Sequence, residues 1–155
     1  MKNFLRKILW FIAKNTRIHS INKNLAQLNL EKLKQSKKYD DKKILINHGF
    51  KSFSQSDEDG IIEEIFNRIG VVNKCFLEIG VQDGFECNTT YLLHKGWNGI
   101  WIEQDSNHYN KINKTFDFLI EKKLKVINKT VSVSNINNTI KENFDLKKEI
   151  DLLSI

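Results

Sequence analysis

The sequence predicts an α/β fold with a doubly wound, mainly parallel sheet, preceded by an α-helical N-terminal arm. Two observations lead to this prediction. Short apolar runs recur at residues 75–79, 99–103, 125–131 and 151–155, and each has the length of a buried parallel strand. A glycine-containing turn and a helix-like stretch separate the first two runs, which is the spacing of a strand–helix–strand unit.

Charge divides the chain into a basic arm and a slightly acidic domain. The total is +6, but residues 1–50 hold 12 Lys and Arg against 3 Asp and Glu, whereas residues 51–155 hold 13 against 16. Such asymmetry is typical of a separate tail. We therefore predict a basic helical arm and linker at residues 1–43 and a partial domain at residues 44–155. The basic residues match no base-reading module, so no nucleic-acid partner is expected.

Within the arm, residues 1–17 combine apolar residues at helical spacing with surrounding Lys and Arg. This pattern predicts peripheral contact with an anionic membrane, although the same apolar stripe could equally pack on the domain or on a partner helix. The stripe is too short to span a bilayer, which needs roughly 20 apolar residues. Ile18, Ile21, Leu25 and Leu28 predict a second amphipathic helix over residues 18–35.

The domain begins with a predicted helix over residues 61–69. Ser56 precedes Asp59 by three positions, which resembles a capping box at the start of this helix. The apolar run from Cys75 then reads as a strand.

That strand ends at a turn containing Glu78, Gly80 and Gly84, where glycines allow a sharp bend and a close approach of backbone to a ligand. A helix over residues 88–95 follows, with Asn88 or Thr89 as its predicted cap. The next strand ends in Glu103, 25 residues after Glu78. An acid at this place can accept hydrogen bonds from both hydroxyls of a ribose.

These segments resemble the cofactor site of class I S-adenosylmethionine-dependent methyltransferases, and more narrowly the FkbM-type family. The resemblance covers roughly residues 50–155 and rests on four segments in order: Phe53-Ser-Gln-Ser-Asp-Glu-Asp-Gly60, Glu78-Ile-Gly-Val-Gln-Asp-Gly84, Asn88-Thr-Thr-Tyr-Leu-Leu93 and Gly96-Trp-Asn-Gly-Ile-Trp-Ile-Glu103. It implies a Rossmann-like methyltransferase sheet. One departure is Gln82, because the commonest class I pattern has glycine there; its side chain could crowd the cofactor or point away.

The resemblance also implies roles for particular residues. Glu78 would order the methionine end of S-adenosylmethionine, and Glu103 would hold its ribose. The implied cofactor-binding set also includes the turn residues Gly80, Gln82, Asp83 and Gly84, then Asp105 and Asn128, and as second-rank candidates Gln55, Glu58 and Asp59. Two alternatives stay open: Glu78 and Glu103 could be solvated acids at strand ends, and Ser56 with Asp59 could serve the helix cap alone.

The function implied by this family is methyl transfer from S-adenosylmethionine to a hydroxyl oxygen of a sugar or glycolipid-type acceptor. The alternative is a non-catalytic remnant that binds a membrane or a partner. A nicotinamide-dependent dehydrogenase is disfavoured, because Gly80 to Gly84 lacks the three-glycine fingerprint. No catalytic nucleophile–base pair can be named. A divalent metal is compatible with the resemblance, but no metal-ligand spacing of Cys or His is present in the sequence.

Two further features bear on location and completeness. The two cysteines have no paired spacing, which suits reduced thiols and a cytoplasmic location, with a membrane-peripheral one allowed by the arm. The sheet is expected to be incomplete, because a domain of this class has about seven strands and this sequence has candidates for four, the last ending at Ile155.

Overall fold

The computed structural model describes residues 18–37, 40–145 and 149–155. It divides the chain into two compact units, Met1–Asn47 and His48–Ile155. In the first unit, helix α1 spans Ile18–Lys34, in agreement with the helix predicted over residues 18–35. The predictions for residues 1–17 lie outside the described residues. No helix in the described ranges has the length and apolar character needed to cross a membrane.

The second unit is an α/β domain, compatible with a Rossmann-like fold. A short 3₁₀ helix, Leu45–His48, leads into it. The elements then alternate in the order α2 (Glu58–Ile69), β1 (Cys75–Ile79), α3 (Thr90–His94), β2 (Asn98–Glu103), α4 (Ser106–Thr115), β3 (Leu124–Asn128), α5 (Ile136–Asn143) and β4 (Leu152–Ser154). Together with α1 of the first unit, the described part of the chain contains five α-helices.

The four strands form one parallel sheet in the order β3-β2-β1-β4. Leu77 pairs with Ile100 of β2 on one side and with Leu153 of β4 on the other. The strand order therefore runs outward from β1 through β2 to β3 and then returns to the opposite side of β1. In such a sheet the reversal point marks a crevice outside the carboxyl ends of the strands.

Side chains that alternate along the central strands build a core on each face of the sheet. Phe76 and Trp101 are fully buried on one face, while Leu77, Ile100 and Ile102 are buried on the other. Burial on both faces explains why these strands are nearly continuous apolar runs.

Two predicted boundaries were wrong by three residues, and the helix predicted over residues 88–95 is shorter, Thr90–His94. The third strand ends at Asn128 rather than at residue 131, because Asn128 pairs with Glu103, the last residue of β2. Helix α2 begins at Glu58, three residues before the predicted start, and Asp57 occupies its cap position without a side-chain hydrogen bond. Ser56 and Asp59 therefore form no capping box.

Candidate functional site

Two adjoining cavities lie at the carboxyl ends of β1 and β2. The first has a volume of about 570 Å³ and the second about 640 Å³, and both are lined by Ile79, Gly80 and Gln82. The first cavity is also lined by Ser154 of β4, so it lies at the reversal point of the strand order. Each volume falls within the ~300–1,000 Å³ typical of small-molecule sites.

The turn after β1 brings bare backbone to both cavities. Gly80 has a φ of 81°, a value that favours glycine, and a Cβ added there would meet no atom within 4 Å. Its N–H donates to the Ile102 carbonyl at 2.8 Å, which holds the turn against β2. The open space in front of Gly80 is consistent with the close approach of a ligand.

Gly84 serves packing rather than the cavity surface. A Cβ added at Gly84 would lie 2.7 Å from Cζ3 of Trp101 and 2.9 Å from Cε2 of Phe116. Gly84 is buried and is not among the residues that line the two cavities in the described part of the chain. The structure thus separates it from Gly80 and Gln82, which line both cavities, and from Asp83, which lines the first.

The Glu78 carboxylate lies in the wall of the first cavity, but all of its acceptor positions are in use. Oε1 accepts from the Asn88 N–H at 3.1 Å and the Ser154 hydroxyl at 3.0 Å, and Oε2 accepts from the N–H and hydroxyl of Thr89 at 3.0 and 2.6 Å. A carboxylate has about four lone-pair positions. Glu78 therefore anchors the start of α3 and the end of β4.

These contacts also replace the predicted cap of α3. Thr89 occupies the cap position, but neither it nor Asn88 caps the helix with its side chain. The Thr89 hydroxyl donates to Glu78 and accepts from the indole N–H of Trp101 at 2.7 Å. The carboxylate from β1 takes over the role of a capping side chain.

Glu103 differs from Glu78 in having unused acceptor capacity. Its carboxylate lines the second cavity, although the residue is only 4% exposed. Oε2 accepts from the Gln82 N–H at 2.7 Å, and Oε1 accepts from the Asp105 N–H at 2.8 Å. With one bond on each oxygen, one acceptor position per oxygen remains for a ligand.

Asp105 and Asn128 organise the chain around Glu103. Oδ1 of Asp105 caps α4 by accepting from the N–H groups of His108 and Asn107, and these two hydrogen bonds lower the pKa of Asp105. Asp105 lines the second cavity. The Asn128 amide donates to the carbonyls of Glu103 and Gln104 at 2.8 and 3.1 Å. Asn128 thus supports the turn behind Glu103 and is not among the described residues that line that cavity.

The second-rank candidates form one edge of the first cavity and its support. Gln55 and Glu58 line the cavity. Asp59 lies outside the lining and is buried, and its Oδ2 accepts from the N–H groups of Ser52, Phe53 and Ser54 at 2.6–3.0 Å. Asp59 therefore holds the loop that carries Gln55, which explains its position better than the predicted capping role.

The two cavities differ in charge. Four carboxylates line the first cavity, and no Lys, Arg or His is found among its described lining residues. Lys111 pairs with Asp83 at 2.7 Å, a hydrogen bond that lowers the pKa of Asp83, and Lys51 lies 3.9 Å from Glu86. The other two carboxylates, those of Glu58 and Glu78, have no such ion pair among the described residues. This cavity therefore favours a cationic group. The second cavity is lined by two acids, Glu103 and Asp105, and also by His108 and Lys129.

Several lining residues were not predicted from the sequence. Cys87, Asn88 and Ser154 line the first cavity, and His108 and Lys129 line the second. Burial, together with the charge of Glu78, raises the pKa of the Cys87 thiol to about 12, so it is not a nucleophile at neutral pH. Lys129 directly follows Asn128 at the end of β3, and His108 lies three positions after Asp105, so a search of the first five residues past each strand end would have found both.

Comparison of the chain with protein-family models, curated proteins and solved structures gave no match. No group of three or more His, Cys, Asp or Glu side chains among the described residues is arranged to hold a metal ion.

Proposed function

We propose that the chain binds S-adenosylmethionine and that the domain transfers the methyl group to a hydroxyl oxygen, with a sugar or glycolipid-type acceptor. One observation carries the proposal: two cavities meet at a glycine turn beside two parallel strands, and a buried glutamate with free acceptor capacity ends the second strand. The acceptor class comes from the sequence resemblance alone.

The nucleoside end of the cofactor would occupy the second cavity. Glu103 can accept two further hydrogen bonds, which matches the two hydroxyls of a ribose. Its backbone partners, the N–H groups of Gln82 and Asp105, fix the direction of the carboxylate before a ligand arrives. Such pre-organisation reduces the entropy cost of binding.

The amino-acid end would occupy the first cavity. S-Adenosylmethionine carries a sulfonium and an ammonium group, and the negative charges of Glu58 and Glu78, whose hydrogen-bond donors among the described residues are neutral, favour positive charge there. Since the Glu78 lone pairs are occupied, we assign its contribution to the electrostatic potential rather than to a direct hydrogen bond.

When bound, this cofactor supplies an electrophilic methyl group for an in-line displacement by an oxygen. The chain's own residues contribute position and environment. The turn at Gly80 and the carboxylate of Glu103 hold the nucleoside end, while the loop supported by Asp59 bounds the opposite side of the first cavity. Alignment of two reactants can contribute ~7–11 kcal/mol to lowering a barrier, so positioning is a substantial part of this chemistry.

The first test is calorimetric titration of S-adenosylhomocysteine, adenosine and NAD⁺ into the full chain and its Glu103→Gln variant. We expect the wild type to bind S-adenosylhomocysteine, and the variant to bind it about ten- to a hundredfold more weakly, because a hydrogen bond to a charged group is lost. Asp117→Asn, at an exposed carboxylate, is the matched control and should bind like the wild type.

The Glu103→Gln variant places an amide opposite two N–H donors, which can impair folding. A second readout therefore uses the wild type. In NMR spectra, S-adenosylhomocysteine should shift the backbone amide resonances of Gln82 and Asp105, which donate to Glu103. Absence of binding, or equal affinity in both proteins without these shifts, would contradict the proposal. Tighter binding of NAD⁺ would instead favour a nicotinamide cofactor.

A further inference from the structure

Gln82 lies where the two cavities meet. Three residues line both cavities: Ile79, Gly80 and Gln82. Ile79 has an apolar side chain and Gly80 has none. Of the three, only Gln82 has a side chain that can hydrogen-bond a ligand where it crosses from one cavity to the other.

The backbone of Gln82 has a conformation that disfavours its side chain. Its φ is 52°, in the left-handed region, and the neighbouring positive-φ positions, Gly80 and Gly84, are both glycine. A glycine at position 82 would adopt the same conformation without a Cβ clash. The fold therefore does not require a carboxamide at this place, whereas strain of this kind is frequent at ligand-binding sites.

The backbone of Gln82 is also held in place. Its N–H donates to Oε2 of Glu103 at 2.7 Å, while its side chain is exposed. The carboxamide thus extends from a fixed point beside the proposed ribose-binding carboxylate. The carboxamide is therefore positioned to contact the part of a ligand that is attached to the ribose.

We infer that Gln82 is a specificity-determining residue, whose carboxamide hydrogen-bonds a nucleoside ligand only where that ligand continues from the second cavity into the first. This inference rests on the proposed function and deepens it. It makes the site selective for S-adenosyl amino acids over free nucleosides, because adenosine fills the second cavity alone.

The test compares Gln82→Ala with Gln104→Ala, since Gln104 lines the second cavity and not the first. Alanine keeps the Cβ, and with it the backbone strain, but removes the carboxamide. In calorimetric titrations, we expect Gln82→Ala to weaken binding of S-adenosylhomocysteine about three- to tenfold and binding of adenosine less than about twofold. Gln104→Ala should leave the ratio of the two affinities unchanged.

A third variant, Gln82→Gly, separates recognition from folding. Glycine relieves the strain, so this variant should melt at a temperature no lower than Gln82→Ala, and it should show the same loss of selectivity. If Gln82→Ala weakens binding of both ligands equally, or of neither, the role of Gln82 is overturned. The Glu103→Gln titration would then decide the proposed function independently. A wild-type chain that binds no S-adenosylhomocysteine would overturn both.

Discussion

At the scale of single residues, Gly84 and Gly96 have nearly the same backbone conformation in different surroundings. Their φ values are 82° and 86°. A Cβ at Gly84 would meet the rings of Trp101 and Phe116, whereas the nearest atom to a Cβ at Gly96 is Nζ of Lys123 at 4.0 Å. The pair therefore separates the cost of backbone strain from the cost of overpacking.

We predict that Gly84→Ala lowers the free energy of unfolding by about 1–3 kcal/mol more than Gly96→Ala, because only the first variant adds overpacking to strain. Urea unfolding of the two variants beside the wild type measures the difference. Equal losses would mean that the Trp101 and Phe116 rings move aside at little cost.

The same scale shows where sequence reasoning about the site stops. Both Glu78 and Glu103 were predicted as strand-end acids of the site, and the structure places both in cavity walls. Their hydrogen bonds differ: Glu78 is saturated, and Glu103 is not. Two glutamates near the ends of neighbouring strands cannot be distinguished from the sequence without knowledge of their hydrogen-bond partners.

At the scale of elements, one carboxylate ties the start of β4 to the segment before β1. The Asp151 side chain accepts from the N–H groups of Val72, Asn73 and Cys75 at 2.7–3.0 Å. Burial alone would raise the pKa of Asp151, but these backbone hydrogen bonds outweigh it and lower the pKa. Since its folded-state pKa is depressed, Asp151 stabilises the fold above its unfolded-state pKa, and this contribution is lost as pH falls through the folded-state value.

Asp151→Asn should therefore reduce the free energy of unfolding at pH 7 by about 1–2 kcal/mol, because the amide cannot accept at both terminal atoms. The difference from the wild type should shrink as pH falls below 3.8, the ordinary value for this carboxyl group. Denaturant unfolding at several pH values measures it, with Asp117→Asn as the exposed control. A difference independent of pH would argue against a role for the charge.

The sequence predicted some helices and strands accurately and missed others. The first two strands were predicted to within one residue, because buried parallel strands are apolar runs whose environment is uniform. Helices α4 and α5 were not predicted. They are rich in Asn and Lys, and each buries a single residue, Ile112 and Thr139 respectively, so the apolar periodicity is too weak to detect.

At the scale of the whole domain, the sheet has two central and two outer strands within the described residues. Within the described residues, β1 and β2 each pair with two strands, whereas β4 pairs with β1 alone over three residues. β3 pairs with one strand, β2, and has a single isolated bridge between Leu124 and Ile120. Amides in central strands open only when much of the structure opens.

We predict that native-state hydrogen exchange is slowest at amides of β1 and β2, intermediate in β3 and fastest in β4. Exchange monitored by NMR or mass spectrometry measures this order. Protection of β4 equal to that of β1 would show that the edge of the sheet is covered in solution. Binding of S-adenosylhomocysteine should slow exchange further at the turn after β1, which donates to Glu103 through Gln82.

The sequence by itself determined the parallel α/β class, the glycine turn and the acids at two strand ends, because apolar runs, glycines and their spacing are local properties. Only the tertiary structure decided which acid has free acceptor positions, that Asp59 holds a loop instead of a helix cap, and that Gln82 joins two cavities. These features depend on contacts such as that between Glu78 and Ser154, which are 76 positions apart. No local pattern encodes such a partner, because the folded sheet brings the two residues together.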